Sequence, residues 1–183
     1  MNTKFALLVL IALLSFSCKN DKAAPVVDKP EVVAVRDDIF TVAFDLVVEK
    51  DDNMQLYYTV DGSINFDEKN SMWFPVTGKK DAQEIQFKLP VGVIPTTIRV
   101  DFGHGKNELQ SNVELKSFRM KFNDNVEEVK GPEIFKYFVA FEPYTDIVDG
   151  TTILKRKKKD QDVGPILYPL EAQAQLIERL IRG

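Results

Sequence analysis

The sequence predicts a mainly β protein, an antiparallel β-sandwich with one α-helix at its C-terminal end. Apolar and polar residues alternate in several short runs bounded by turn residues, which is typical of strands with one buried face. Near the C-terminus the apolar spacing changes to that of a helix. Strands of this kind are most simply closed as two packed sheets, in a β-sandwich or jelly roll. An up-and-down barrel with an internal ligand is the alternative.

The alternation is clearest in the first half of the chain. Apolar residues occupy every second position over 40–48 and again over 54–60. The residues between them, 51–53, are Asp-Asp-Asn and supply turn chemistry. The pattern therefore predicts a β-hairpin made of these two strands.

Further strands follow with the same period of two, over 84–89, 97–102 and 109–122. In the last of these the apolar positions change from odd to even numbers. Because a change of parity would otherwise turn the apolar side away from the core, we expect a bulge or bend near Ser117.

The sandwich is predicted over 38–123, and 124–183 is predicted to be an extension that packs on it. The extension should hold a second hairpin, around Asp149 and Gly150, and a helix that starts near Pro169. The apolar stripe of this helix consists of Leu170, Ala174, Leu176, Ile177, Leu180 and Ile181. Such a stripe favours packing on the body, and a groove on a partner protein is the alternative.

The composition excludes several classes of function. The chain has 183 residues, of which 44% are apolar and 13 are Phe, enough for the core of one domain. A formal net charge of −4 argues against nucleic-acid binding, which depends on neutralising phosphates. One His and one Cys are too few for a thiolate or imidazole metal cluster or a disulfide framework, and no cofactor is expected.

Residues 1–17 have the pattern of a signal peptide. Lys4 precedes an apolar stretch over 5–16 that is too short to span a bilayer as a helix. The five residues that end at Cys18, Leu-Ser-Phe-Ser-Cys, resemble a bacterial lipobox, in which the Cys becomes the acylated first residue of the mature chain. The alternative is ordinary signal-peptidase cleavage after Ser17, which leaves Cys18 as a free thiol.

The segment 18–37 is predicted to be the lipidated Cys18 followed by an extended tether. It contains Pro25 and Pro30, and proline favours extended backbone. Acyl chains on Cys18 would attach the protein to a membrane through lipid alone. We therefore expect a cell-envelope protein, anchored at the outer membrane on its periplasmic or surface side.

Two aromatic residues are the candidate ligand contacts. If Tyr58 faces the core, alternation turns Tyr57 outward. Sugar rings stack on aromatic planes, so Tyr57 and Trp73 could form a glycan platform beside polar side chains. A core position for Trp73 is the alternative.

Asp61, Asn65 and Asp67 are the candidate metal ligands, because they place oxygen atoms at alternate positions as calcium loops do. Met72 occupies the position where an EF-hand needs its bidentate Glu. Turn and capping chemistry is therefore the alternative, and no metal is expected.

The strongest charge run is residues 155–159, Lys-Arg-Lys-Lys-Lys. It could hold an acidic polysaccharide or lipid head groups, and a solvated flank of the second hairpin is the alternative. No catalytic motif accompanies it: His104 lies between two glycines without a nucleophile elbow elsewhere, and neighbouring carboxylates on a strand point to opposite faces.

Four segments resemble the β-sandwich modules found with bacterial cell-envelope polysaccharide proteins. They are Gln-Leu-Tyr-Tyr-Thr at 55–59, the run 71–76, Gln-Phe-Lys-Leu-Pro at 86–90 and Arg-Val-Asp-Phe-Gly at 99–103. The resemblance extends over 40–122 and implies a galactose-binding-like or carbohydrate-module sandwich that associates with glycan. It identifies no particular binding residue.

These observations together predict a lipid-anchored, non-catalytic envelope protein whose β-sandwich binds glycan or another envelope component. The first alternative is a structural or assembly lipoprotein that contacts a partner protein through its C-terminal helix. The second alternative is a glycoside-active enzyme.

Overall fold

The structure is a computed structural model that describes residues 38–105 and 110–183. The predicted signal peptide, Cys18 and the tether lie outside the described residues. The described strands are β1 (Thr41–Val48), β2 (Asp52–Thr59), β3 (Ser71–Val76), β4 (Lys79–Lys88), β5 (Thr97–Asp101), β6 (Val113–Phe122), β7 (Asn125–Lys130), β8 (Phe138–Ala140), β9 (Thr145–Ile147), β10 (Ile153–Arg156) and β11 (Ile166–Pro169). The described α-helix is α1 (Glu171–Arg182), and short 3-10 helices span Glu68–Asn70 and Gly131–Lys136.

The strands form two antiparallel sheets that pack as a β-sandwich, which confirms the predicted fold class. Sheet 1 has six strands in the order β4-β1-β6-β10-β9, with β7 also paired to β6. Sheet 2 has five strands in the order β3-β2-β5-β11-β8. Because the strands form two separate sheets, the alternative of a closed barrel is wrong.

The predicted hairpin of the first two strands is also wrong. β1 lies in sheet 1 between β4 and β6, whereas β2 lies in sheet 2 between β3 and β5. The connection at 49–51 therefore carries the chain from one sheet to the other. Alternation shows which side of a strand is buried but does not show which strand lies next to it. Two strands that face each other across a core have the same pattern as a hairpin.

The predicted bulge near Ser117 is confirmed. Asp45 pairs with Ser117, and the next residue of β1, Leu46, pairs with Leu115, so Lys116 is the extra residue in β6. The extra residue lets Leu115 and Phe118 both point into the core although their numbers differ in parity.

The segment after Phe122 supplies strands to both sheets. β7, β9 and β10 belong to sheet 1, and β8 and β11 belong to sheet 2. β9 and β10 form a hairpin around Asp149 and Gly150, with Leu154 opposite Ile147. The sandwich predicted over 38–123 thus continues to Pro169, because strands from 124–169 complete both layers.

The C-terminal helix packs on the sandwich through one side. Leu176, Ile177 and Leu180 are buried against it, whereas Leu170 and Ile181 remain more than a third exposed. Leu170 is the N-cap, with extended backbone, and Pro169 belongs to β11. The helix therefore begins two residues later than its proline suggests.

Gln173 ties this helix to the middle of sheet 2. Its side chain is fully buried, its Oε1 accepts a hydrogen bond from the backbone N–H of Ile98 at 2.7 Å, and its Nε2 donates to the carbonyl of Ile98 at 3.1 Å. β11 pairs with β5 at Asp101 and Val100 and ends at Pro169, which has no N–H to donate. The carboxamide of Gln173 therefore makes the two hydrogen bonds to Ile98 that a longer β11 would otherwise make.

We expect Gln173→Ala to lower the free energy of unfolding by about 2 kcal/mol, because it leaves two buried backbone groups of Ile98 without partners. Urea denaturation of the variant and the wild type measures the difference. Gln175→Ala is the matched control, since Gln175 is exposed on the same helix. Equal losses in the two variants would contradict the role of Gln173.

Candidate functional site

The outer face of sheet 2 is the side that points away from the core. Leu56, Val100 and Leu167 point inward, so their neighbours along each strand point outward. Two rows of outward residues cross the sheet in register: Trp73, Gln55, Asp101 and Ile166 in one, and Ser71, Tyr57 and Arg99 in the other. The face combines aromatic and hydrogen-bonding side chains, and both predicted ligand contacts lie on it.

Tyr57 points outward, as predicted, but it is only 7% exposed. The segment between β2 and β3 folds back over it, with the ring of Phe66 edge-on at 6.4 Å between ring centroids. The Tyr57 hydroxyl lies 2.7 Å from both Gln55 Oε1 and Glu68 Oε1. The prediction that Tyr57 forms an exposed platform is therefore wrong, because the segment that follows β2 folds back over the ring.

We call this folded-back segment, residues 60–70, the cover, and Glu68 is the residue of the cover that hydrogen-bonds to Tyr57. Its second oxygen, Oε2, accepts a hydrogen bond of 2.8 Å from Gln55 Nε2, which also donates to Ser71 Oγ at 2.9 Å. The hydrogen bond from Tyr57, followed by that from Gln55, holds the pKa of Glu68 below its usual range. Burial, and then the bond to Glu68, raises the pKa of Tyr57, so the phenol keeps its proton.

Arg99 and Asp101 form an ion pair beneath the same cover. Nε and Nη2 of Arg99 donate to the two carboxylate oxygens of Asp101 at 2.8 and 2.6 Å. The guanidinium lies against two rings, 4.6 Å from the centre of Tyr57 and 5.1 Å from that of Tyr168. Burial raises the pKa of Asp101, and the lowering effect of Arg99 does not cancel it. The i, i+2 spacing of Arg99 and Asp101 on a strand could have revealed this pair.

Trp73 is the aromatic residue of the outer face that stays accessible. Its side of the sheet ends with β3, and the residue is 45% exposed. The ring meets His104 edge to face, with 4.7 Å between ring centroids and 82° between the planes. His104 is itself exposed. The sequence pattern predicted a role for Trp73 but not its contact with His104, which lies in the segment that follows β5.

A depression of about 360 Å³ borders this pair. Its lining residues are Asp51, Asp52, Asn53, Pro75, Val76, Thr77 and His104. We call this surface, together with Trp73, the Trp73–His104 patch. Most of the lining carries hydrogen-bonding groups, so the patch offers one large ring next to several polar contacts.

Asp52 fixes the position of His104 in the patch. Asp52 Oδ1 accepts hydrogen bonds from the backbone N–H groups of Asn53 at 2.8 Å and His104 at 3.1 Å, and Oδ2 accepts one from Gln110 Nε2. Burial raises the pKa of Asp52 against the lowering effect of those N–H groups. Gly103 has φ +130°, and a Cβ there would come within 2.9 Å of Asp52 Oδ2. A glycine is therefore required beside this carboxylate.

The candidate metal ligands act as turn residues. Asp61 Oδ1 accepts a hydrogen bond from the N–H of Ser63 at 3.0 Å. Asp67 Oδ1 accepts one from the N–H of Lys69 at 2.9 Å and caps the short helix Glu68–Asn70, and the backbone N–H of Asn65 donates to Ser63 Oγ. Over 38–105 and 110–183, no group of three His, Cys, Asp or Glu side chains is placed to hold a metal ion.

No model of a protein family, no curated protein and no solved structure matches this chain. By its own fold and surface, the chain is a β-sandwich protein with a partly open aromatic and polar face on sheet 2. In the part of the chain that the structure describes, no helix has the length and apolar character needed to cross a membrane.

We expect Glu68→Gln to be less stable than the wild type at pH 7, by less than about 1 kcal/mol because the carboxylate is exposed. Since the folded state lowers the pKa of Glu68, its contribution is present above the unfolded-state pKa of about 4.3 and is lost as pH falls through the folded-state value. The stability gap should therefore narrow between about pH 5 and pH 3. Denaturation at several pH values tests this.

Glu142→Gln is the control for that series, because it removes a 90% exposed carboxylate whose ion pair with Lys157 is 3.4 Å long. It should keep the acid profile of the wild type. A gap for Glu68→Gln that stays constant down to pH 3 would contradict the assignment.

Proposed function

We propose that this chain is a non-catalytic cell-envelope protein that is anchored by lipid on Cys18 and binds glycan on the Trp73–His104 patch. The single observation that carries the proposal is the accessible Trp73 ring, braced by His104 and bordered by a polar depression. The indole ring offers a flat apolar face and an N–H group to a ligand, and at 45% exposure a ligand can reach it.

The chemistry of the patch suits a sugar. The C–H faces of a sugar ring pack on an aromatic plane, and its hydroxyl groups need hydrogen-bond partners at the edges. Asp51, Asn53 and Thr77 line the neighbouring depression and are exposed to solvent or ligand hydroxyls, although Asp51 Oδ1 already accepts a hydrogen bond from the N–H of Gly78 at 2.8 Å. The patch therefore presents both kinds of contact within one surface.

The patch is also held in place before any ligand binds. His104 supports the Trp73 ring, and the backbone of His104 is in turn fixed by Asp52. A surface ordered in advance loses less conformational entropy on binding than a flexible one. This favours a binding role for Trp73 over that of an incidental exposed residue.

The carboxylates of the outer face support a binding protein over a glycoside-active enzyme. Hydrolysis needs two carboxyl groups that both reach the substrate, about 5 to 10 Å apart. Glu68 belongs to the exposed covering segment and Asp101 lies beneath it, but Asp101 is 4% exposed and holds Arg99 through both oxygens. Asp101 in this arrangement is not available to deliver a proton.

A second candidate function is assembly with a protein partner through the C-terminal helix. A groove of about 210 Å³ lies between α1 and the segment before β5, and its lining is mostly apolar. Ile94 and Ile181 at this groove are 38% and 37% exposed. A partner bound there would be lost in Ile181→Asp, whereas glycan binding at Trp73 would not change.

We expect Trp73→Ala to weaken glycan binding about tenfold or more, because exposed tryptophan anchors carry a large share of binding energy. Affinity electrophoresis of the purified full-length protein through gels that contain envelope or dietary polysaccharides measures the binding. Trp73→Phe keeps a ring and should retain part of it.

Val126→Ala is the surface control, because Val126 is 51% exposed on β7 of the opposite sheet. All three variants should unfold within about 0.5 kcal/mol of the wild type. If no polysaccharide retards the wild type, or if Trp73→Ala is retarded equally, the glycan proposal fails.

We expect the full-length chain to incorporate radiolabelled palmitate in cells and Cys18→Ala to incorporate none. Cys18 is the single cysteine of the chain, so no other thiol competes for the label. Cell fractionation should find the wild type in membranes and Cys18→Ala outside them. An unlabelled wild type would refute the lipid anchor and leave the patch as a separate question.

A further inference from the structure

The basic run 155–159 forms one wall of a depression at the end of β10. β10 pairs with β6 at Ile153 with Glu114 and at Leu154 with Val113, and the pairing ends there. Beyond that point the two chain segments, 110–112 and 155–159, diverge and line a space of about 410 Å³. The depression is therefore the space between β6 and β10 that opens where their pairing ends.

The positive charge of this wall is carried mainly by exposed side chains, and Asp146 lies opposite Lys155 in the pairing of β9 with β10. Four of its five side chains are exposed lysines. Lys157 contacts Glu142 at 3.4 Å, but the Glu142 side chain is 90% exposed, and such a pair contributes little in water. None of the described residues that line the depression is acidic.

Arg156 adds a cation whose hydrogen bonds go to neutral groups, and the charge of the Asp52 carboxylate also acts on it. Its Nη2 donates to the carbonyl of Gly105 at 2.6 Å and its Nη1 to that of Gln161 at 3.1 Å, whereas its Nε is buried with no hydrogen-bond partner. Backbone carbonyls orient the guanidinium but do not neutralise its charge. An anion next to this wall would meet a positive field from every side chain of the run.

The backbone of the run is fixed by Gln161, which is only 5% exposed. Its Oε1 accepts a hydrogen bond from the N–H of Lys158 at 2.9 Å, and its Nε2 donates to the carbonyls of Tyr144 at 2.9 Å and Val163 at 2.8 Å. The lysines therefore extend from an ordered turn. This distinguishes the run from a solvated tail of like charges.

We propose that this depression binds the carboxylate or sulfate groups of an acidic polysaccharide. The inference rests on the proposed function for the class of polymer, and it adds that the polymer is anionic. The opposite wall, formed by Gln110, Ser111 and Asn112, offers amide and hydroxyl groups that suit sugar hydroxyls. A membrane surface fits less well, because the site is concave and its lining holds no large apolar side chain that could enter a bilayer.

The depression is also linked to the Trp73–His104 patch by two hydrogen bonds. Arg156 binds the carbonyl of Gly105, the residue that follows His104. On the other side, Gln110 lines the depression and also donates to Asp52, which lines the patch. A polymer several sugars long could therefore contact the aromatic ring with one part and the basic wall with another.

The test compares polygalacturonate with its fully methyl-esterified form, which has the same backbone without charge. Affinity electrophoresis of the full-length protein should show retardation by polygalacturonate that falls as salt is added. The triple variant Lys155→Gln, Lys158→Gln and Lys159→Gln should bind polygalacturonate about tenfold more weakly. Its response to the methyl ester should equal that of the wild type.

The matched control is Lys79→Gln, Lys80→Gln and Lys88→Gln, which removes the same charge from exposed positions on β4. It should bind polygalacturonate as the wild type does. Equal binding by the two triple variants would overturn the inference. It would also be overturned if vesicles of phosphatidylcholine and phosphatidylglycerol bound through Lys155, Lys158 and Lys159 while polygalacturonate did not.

Trp73→Ala separates this inference from the proposed function. If Trp73 takes no part in binding but the basic site does, Trp73→Ala should bind polygalacturonate as strongly as the wild type, and the lysine triple variant should bind it more weakly. If the basic site alone is wrong, Trp73→Ala loses binding and the lysine variant keeps it. If neither variant changes the retardation, both proposals are wrong.

Discussion

The architecture depends on a cluster of four phenylalanine rings between the sheets. Phe44 and Phe118 come from sheet 1, and Phe102 and Phe138 come from sheet 2 or its continuation, and all four are at most 1% exposed. The Phe44 ring meets Phe102 at 5.5 Å and Phe138 at 6.2 Å, and Phe118 meets Phe138 at 5.2 Å edge to face. Each buried ring contributes about 2 to 3 kcal/mol. Because the contacts cross between layers, they fix how the sheets sit on each other, and so fix the outer face of sheet 2.

The same alternation that fills the core also builds the candidate site. Residues next to the core positions of β2, β3 and β5 must point outward, and here they are Tyr57, Trp73 and Arg99. The segment between β2 and β3 covers the central part of this face through Phe66 and Glu68. What stays open is the edge, where Trp73 lies. The candidate site is thus the part of the outer face of sheet 2 that the cover leaves exposed. The other residues of that face, such as Tyr57, Arg99 and Asp101, contact one another beneath the cover.

Sequence reasoning was reliable where the answer depended on local pattern. The opposite directions of Tyr57 and Tyr58 and the bulge near Ser117 follow from a period of two, and both are confirmed. It failed where the answer depended on distant segments, as in the hairpin that proved to be a crossing between sheets. The bond from Gln173 to Ile98, 75 residues away, belongs to the same class. The burial of Tyr57 was missed for a different reason: the irregular segment after β2 folds back over it, and a period of two says nothing about such a segment. Apolar spacing gives no sign of a polar side chain that completes a sheet.

The position of β11 has a consequence for the order of folding. This strand comes from nearly the last part of the chain, yet it lies inside sheet 2 with β5 on one side and β8 on the other. Until it arrives, both neighbours present unpaired backbone edges, and early-made segments cannot close the layer by themselves. A nascent polypeptide with this topology cannot complete sheet 2 until its synthesis is nearly finished, so the last strand made decides when the sandwich closes.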